Sequence, residues 1–297
     1  MDNNGKEKSD HLNVICFGEV LIDNFPDGKR IGGAPLNVCY HLNKNGICSQ
    51  MVSQVGTDDL SEELLNGIKE LGVNIAYIDR SGRYPTSTVE VHVDDRGHVS
   101  YDIVEPVAWD SLEYDPEVAY AISTATAFIF GSLAARNKQT RDTLFRYLEH
   151  AKWSVFDVNL RPPFYDKELI LTLMGQCQTL KVNEEELEIL AEWLGKVGDS
   201  RDEALGLLFG QYPKIQEILL TMGENGALYR SRTEEIILPA KEIVVKDTVG
   251  SGDSFLAAFL AKKILGSEVQ GALEHAIAIS AFVATQQGAC PDYVNFK

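Results

Sequence analysis

Short apolar runs alternate with longer segments of helical spacing from one end of the chain to the other. Residues 14–22, 51–55, 127–133, 154–158, 179–182 and 218–221 read as strands. Residues 35–44 and 60–71 read as helices, the second opening behind the cap candidates Asp58 and Asp59. Residues 256–265 form an Ala/Leu/Phe-rich run without a breaker, which predicts a buried helix. Strands alternating with helices of this length predict an α/β fold, with helices covering both faces of a mostly parallel sheet. No internal repeat or low-complexity segment interrupts the pattern.

One segment departs from it. Val89, Val91 and Val93 alternate with polar residues, Asp94-Asp95-Arg96-Gly97 offers a turn, and Val99, Tyr101 and Ile103 resume the alternation. Period two on both sides of a Gly-bearing turn predicts a β-hairpin over 88–103 with one apolar face. That face needs cover. A lid over a cleft, a dimer contact or an extension of the main sheet would each supply it.

Composition narrows the class. The chain has 297 residues, 44% of them hydrophobic, which suits a soluble globular protein with a sizeable core. A formal charge of −17 argues against nucleic acid or an anionic membrane as the main partner. It leaves an anionic substrate open, since a local cluster of cations and backbone amides can override the global sign. The five cysteines at 16, 39, 48, 177 and 290 form no C-x-x-C pair. Such a set predicts reduced thiols in a cytosolic compartment, with Cys16, Cys39 and Cys48 packed in apolar surroundings. Residues 1–11 are polar and charged, unlike a signal peptide, and no apolar stretch approaches the roughly 20 residues that cross a bilayer.

Five motifs and the single residue Asp23 could carry chemistry. Asp247-Thr248-Val249-Gly250-Ser251-Gly252-Asp253 precedes the apolar helix and puts a carboxylate directly behind two glycines at its first turn. Without side chains at 250 and 252, successive N–H groups can converge on an anion where the helix start adds partial positive charge. A carboxylate there can take a proton from a bound hydroxyl while the amides hold charge on a transferred group. Read alone, such a run is more often an Asp N-cap after a glycine turn. Ile31-Gly32-Gly33-Ala34-Pro35-Leu36-Asn37 joins the first strand to the first helix. Its glycines permit close backbone approach to a ligand and Asn37 offers two donors and an acceptor; a tight loop before an ordinary helix is the alternative.

Asp23 is expected at the end of the first strand, the edge where α/β sheets place ligands. Its carboxylate can accept from two sugar hydroxyls, although the nearby Pro26 also fits a turn. Lys181-Val182-Asn183-Glu184-Glu185-Glu186 leaves a strand for a helix. Asn183 and Glu186 form a capping-box pattern, and their oxygens also suit a hydrated magnesium ion. Thr221-Met222-Gly223-Glu224-Asn225-Gly226 links two strands through an open turn, a hairpin connection or a seat for phosphate or ribose. Arg161, in Asp157-Val158-Asn159-Leu160-Arg161 at a strand end, can grip a phosphate bidentately or form a surface salt bridge. No Walker P-loop occurs, and no G-x-G-x-x-G follows the first strand.

Taken together, Gly32-Gly33-Ala34-Pro35-Leu36-Asn37-Val38 and Asp247-Thr248-Val249-Gly250-Ser251-Gly252-Asp253 resemble the two signatures of ribokinase-like (PfkB-type) carbohydrate kinases. Their order and separation match, and the resemblance runs from about Asn13 to the C-terminus. It implies one kinase domain over 1–297, a three-layer α/β/α sandwich with a mostly parallel central sheet, and a small β lid at 84–106. It implies an enzyme that moves the terminal phosphate of ATP to a sugar hydroxyl in the presence of Mg2+. By this resemblance Asp253 is the catalytic base, and the amides of Gly250, Ser251 and Gly252 form an anion hole with Arg161 close by. Asp23, Gly32, Gly33, Asn37 and Arg161 hold the sugar; Lys181, Asn183, Glu186, Thr221, Gly223 and Gly226 meet the nucleotide. Asn183 and Glu186 face Mg2+ through water, and backbone oxygens around Asp247, Val249 and Ala289 are the place for K+. The remaining expectations are a cytoplasmic homodimer joined through the lid, with no nucleic-acid or membrane partner.

Gly18-Glu19-Val20-Leu21-Ile22-Asp23 with Gly32-Gly33-Ala34-Pro35 is most similar to fructokinases. Ribokinases usually carry Asn where Leu21 stands and Gly-Gly-Lys-Gly at 32–35, so ribose is disfavoured. Residues 157–161 also resemble a stretch of 2-keto-3-deoxygluconate kinases in which an Arg meets a sugar carboxylate or phosphate. A scaffold that keeps the fold without catalysis would be expected to have lost Asp253 or the Gly250/Gly252 pair, and neither is lost.

Overall fold

The computed structural model describes residues 13–26, 28–93, 99–195 and 200–296. In chain order the first half runs β1 (Asn13–Phe17), β2 (Leu21–Phe25), β3 (Gly28–Gly32), α1 (Ala34–Lys44), β4 (Cys48–Val55), α2 (Asp59–Glu70), β5 (Asn74–Arg80), β6 (Thr88–Val93), β7 (Val99–Ile103), α3 (Pro116–Thr124), β8 (Ala127–Gly131) and α4 (Lys138–Leu148). The second half adds β9 (Ser154–Asp157), α5 (Lys167–Met174), β10 (Thr179–Asn183), α6 (Glu184–Trp193), α7 (Arg201–Gln211), β11 (Glu217–Thr221), β12 (Ala227–Ser231), β13 (Glu235–Leu238), α8 (Ser251–Ile264) and α9 (Val269–Ala284).

Nine strands form the main sheet in the order β13-β12-β11-β10-β9-β8-β1-β4-β5. All pairs are parallel except β11–β12 and β12–β13. Alternation along its strands sends side chains to two separate cores. Ile15, Phe17, Phe128, Phe130 and Phe156 pack with the apolar faces of α3 to α7. Val14, Cys16, Ile129 and Val155 pack with α1, α2, α8 and α9. Burial on both faces explains why these strands read as continuous apolar runs, and it confirms the three-layer expectation.

The first predicted strand is two. The chain leaves the main sheet at Gly18, which adopts φ 145. A side chain there would press within 2.8 Å of Pro35 Cγ. The backbone re-enters structure at Leu21 in a second sheet of order β3-β2-β6-β7. In it β2–β3 and β6–β7 are antiparallel pairs joined by a parallel β2–β6 contact. The predicted hairpin over 88–103 is therefore half of a four-stranded unit, and its turn at 94–97 lies outside the described residues. The polar 1–11 segment lies outside them as well.

Helix 59–70 opens as expected, with Asp58 accepting the Ser61 N–H at 3.1 Å. Cys48 corrects the cysteine reading. It is exposed at the first residue of β4, while Cys16 and Cys39 are buried, and all five thiols are free. Among the described residues no helix is long and apolar enough to cross a membrane.

Candidate active site

β9 and β10 bring Asp157 and Lys181 up to the start of α8. Gly250 caps this helix in the left-handed conformation, φ 77, and a Cβ there would lie 2.6 Å from Ala289 Cα. Only glycine fits both constraints. Asp247 fixes the approach to the helix: its carboxylate accepts the Val249 N–H and the Gly288 N–H, each at 3.0 Å. Ser251 donates its own N–H to Thr248 O at 3.2 Å, which takes this amide out of the expected anion hole of Gly250, Ser251 and Gly252.

Asp253 stands one residue further on, half-buried but not sealed from solvent. Asn37 Nδ2 donates to its Oδ2 at 2.8 Å, and Cys290 Sγ lies 3.4 Å from Asn37 Oδ1. Burial pushes the Asp253 carboxyl up to about 6, and the Asp157 charge adds to the rise. The Asn37 bond and the Lys181 and Arg161 charges oppose it.

Lys181 and Asp157 are register partners on β10 and β9, and their side chains form a buried ion pair at 3.0 Å. A Cβ at Gly252 would come within 3.1 Å of Lys181 Nζ, so this ammonium stands directly against the helix start. Burial alone would lower the Lys181 pKa, but Asp157, Glu186 and Asp253 together drive it upward, and it stays charged. The second Asp157 oxygen, Oδ2, is buried without a hydrogen-bond partner. A small cavity beside it is lined by Ala34, Pro35, Phe130, Gly131 and Asn159.

Asp23 lies within β2 of the smaller sheet, not at an edge of the main one. The register opposes it to Arg30, and a Cβ at Gly32 would fall 2.3 Å from its Oδ2. A side chain at Gly32 would therefore displace the Asp23 carboxylate from this position. Burial raises Asp23 to about 6 against the Arg161 and Arg30 charges. At Gly33, φ 120, an added Cβ would fall 2.4 Å from the Glu19 carbonyl oxygen, so the position takes only glycine. Glu19 is itself buried, with Oε2 unpartnered, and burial lifts it to about 7. Arg161 is exposed, and its charge acts on Glu19, Asp23 and Asp253 alike.

Asn183 and Glu186 do form the capping box. Asn183 Oδ1 accepts the Glu186 N–H at 2.8 Å, and Glu186 Oε2 accepts the Asn183 N–H at 2.9 Å. Glu186 Oε1 also accepts the Leu160 N–H at 2.9 Å, which ties the Arg161 loop to α6. Thr221 sits beside Asn183 in register and donates Oγ1–H to Val182 O at 3.5 Å. Gly223 and Gly226 adopt φ 53 and 99, and a Cβ at Gly226 would fall 2.0 Å from Leu238 O. The Ala289 carbonyl is engaged by His41 Nε2 at 2.8 Å, and burial lowers His41 to about 4, so the ring is neutral near pH 7.

The fold thus gathers Asn37, Lys181, Gly252 and Asp253 at one point and couples Asp23 and Arg161 to it by charge. Thr221, Gly223 and Gly226 lie along the neighbouring strand ends. Glu19, Asp157 and Cys290 join the site without having been singled out from the sequence. Only Asp157 had a signal, its place at a strand end. A half-buried carboxylate with a raised pKa, an ammonium and a helix start can deprotonate an alcohol and hold an incoming anionic group.

This fold and its glycine turn define a ribokinase-like protein. The family model described as "pfkB family carbohydrate kinase" matches residues 8–294. The "Probable fructokinase-5" of Arabidopsis thaliana is 27% identical over 309 residues, covering 94% of this chain and 93% of that protein. The fructokinase of Xylella fastidiosa with bound ATP superposes with a TM-score of 0.82 at 23% identity, covering 93% of both chains. A double mutant of the Vibrio cholerae O395 fructokinase, bound to fructose, ADP and potassium ion, gives 0.80 at 22% identity, covering 94% of both. A putative ribokinase II of E. coli in complex with ATP and Mg2+ gives 0.80 at 19% identity, again covering 94% of both. The chain belongs to the pfkB family of carbohydrate kinases and is an ATP-dependent sugar kinase.

Proposed function

We propose that the chain is a fructokinase, transferring the γ-phosphoryl group of ATP to the 6-hydroxyl of D-fructose. The observation that carries this reading is Asp253 held by Asn37 at the start of α8, with Lys181 against Gly252. Fructose is supported by the 27% identity to a probable fructokinase over nearly the whole chain, and by the solved fructokinase that holds fructose and ADP.

In this reading Asp253, ionised above pH 6, accepts the proton of the attacking hydroxyl. The Gly252 amide and the Lys181 ammonium face the phosphoryl group and hold the charge that spreads over its oxygens. Asp23, Gly32, Gly33, Asn37 and Arg161 orient the sugar, while Thr221, Gly223 and Gly226 border the nucleotide. Mg2+ when bound neutralises phosphate charge; the oxygen donors Asn183 and Glu186 fit it through water, since each Glu186 oxygen already accepts a backbone N–H. For K+ the backbone oxygens of Asp247 and Val249 are suited; the Ala289 carbonyl is turned to His41. The four-stranded sheet acts as a lid that excludes water, and in this reading its outer face joins two copies in a cytoplasmic homodimer.

A second reading rests on Arg161. An exposed guanidinium whose charge acts on Asp23 is also suited to the carboxylate of 2-keto-3-deoxygluconate. The test is an ADP-release assay with purified protein against fructose, 2-keto-3-deoxygluconate, ribose and adenosine. Fructose should give the highest kcat/KM; a preference for the keto-deoxy acid would replace the first reading with the second. Binding of ATP without turnover on any of the four would favour the scaffold.

A further inference from the structure

Outside the site lies a buried cation with no role in the chemistry above. Arg136 follows the turn at 133–135 beyond β8, and its side chain is 5% exposed. Its Nε and Nη2 donate to the two oxygens of Asp110 at 2.9 and 2.7 Å, and Nη2 also donates to Val104 O at 2.9 Å. The guanidinium carbon lies over two rings, 4.1 Å from the Trp109 centroid and 4.6 Å from that of Phe164. Nη1 is buried without a hydrogen-bond partner. A cavity of about 320 Å³ adjoins the group, lined by Glu105, Pro106, Asp110, Arg136 and Asn137.

The placement of these contacts matters more than their strength. Val104 is the residue at which the chain leaves β7, the root of the small sheet. Phe164 donates its N–H to Arg161 O at 2.8 Å, so it belongs to the turn that carries Arg161. One rigid, planar group therefore touches both the lid root and the sugar-facing loop. A planar fork held by a bidentate carboxylate and two rings transmits displacement as a unit. The neighbouring cavity leaves space beside Glu105 and Pro106, and the unpartnered Nη1 is a donor that a second arrangement can satisfy.

We infer that Arg136 is a positioning residue that couples the root of the small sheet at Val104 to the Arg161 loop. Closure over the sugar and placement of Arg161 then occur together. The inference rests on the small sheet acting as a lid. It is tested by a double-mutant cycle with Arg136→Lys and Arg161→Ala, read with whichever sugar the wild-type enzyme phosphorylates. Lysine keeps the charge but loses the fork and the stacking. Alone, Arg136→Lys should raise the sugar KM about tenfold, with the KM for ATP changed by less than about twofold. On the Arg161→Ala background it should add less than about twofold, because its effect passes through Arg161. Additive effects, an equal rise in the KM for ATP, or an unchanged sugar KM with only a lower melting temperature would each overturn the coupling.

Hydrogen exchange on the wild-type protein decides the matter even if the variant does not fold. The added sugar should slow exchange in 103–107 and 160–165 over the same concentration range. Slowing in one segment without the other refutes the coupling. No slowing anywhere in the small sheet refutes the lid itself, a distinguishable failure.

Discussion

Replacing Asp253 by Asn should stabilise the protein while it removes turnover. The carboxyl titrates at about 6 in the folded protein against 3.8 ordinarily, chiefly because it is buried. Because the folded pKa is the higher, the folded state binds more protons than the unfolded chain between those values. Stability therefore falls as pH rises from about 4 to 6, and the deficit stays constant above. The difference corresponds to roughly 3 kcal/mol at pH 8 and about half that at pH 5. Asparagine is neutral throughout, and its amide oxygen can still accept from Asn37. The variant should thus exceed the wild type by up to about 3 kcal/mol at pH 8, on the order of 5 °C in melting temperature for a chain of this size. The gain should shrink to near zero below pH 4. The assay is urea unfolding of both proteins from pH 4 to 8, with ADP release measured alongside; kcat should fall by a factor of about 10² to 10⁴. A stability difference that is absent at pH 8, or that does not vary with pH, would refute the assignment of a strained, ionised carboxylate at this position.

Other outcomes follow from the same geometry. The wild-type kcat/KM should rise with pH through an apparent pKa of 6 to 7, since Asp253, Asp23 and Glu19 are raised to about 6, 6 and 7; a flat profile over that range would count against Asp253 as base. Gly250→Ala forces a side chain into the left-handed conformation against Ala289, so it should cost roughly 2 kcal/mol or more in urea and abolish activity. Lys181→Met strands a buried Asp157 charge and should destabilise by about 3–5 kcal/mol. Adding Asp157→Asn should recover most of that stability but none of the turnover. Recovery of turnover in the double variant would show the pair to be structural only.

Much of the architecture was legible because its physics is local. Alternating apolar runs and capped helical segments specify a doubly covered parallel sheet, and the Asp58 cap and the Asn183–Glu186 capping box need only neighbours a few residues away. The glycines at 250 and 252 likewise announced a helix start that can receive an anion. Other features were hidden. Residues 14–22 read as one strand because nothing local reveals that Pro35 bars a side chain at Gly18 and that the chain changes sheets there. Asp23 consequently belongs to the small sheet, and residues 28–32, without strict alternation, gave no sign of joining it. Cys48 looked like its buried neighbours, but the first residue of a strand can face water.

The sequence by itself determined the layers, the helix ends and the presence of an acid behind a glycine turn, since propensity, periodicity and capping act over a few residues. The tertiary structure alone decided that Asn37, 216 positions away, would hold Asp253, and that Asp157 would neutralise Lys181 against Gly252. It also set the raised pKa values, because desolvation and charge–charge coupling depend on which residues are brought together in space, whatever their distance along the chain.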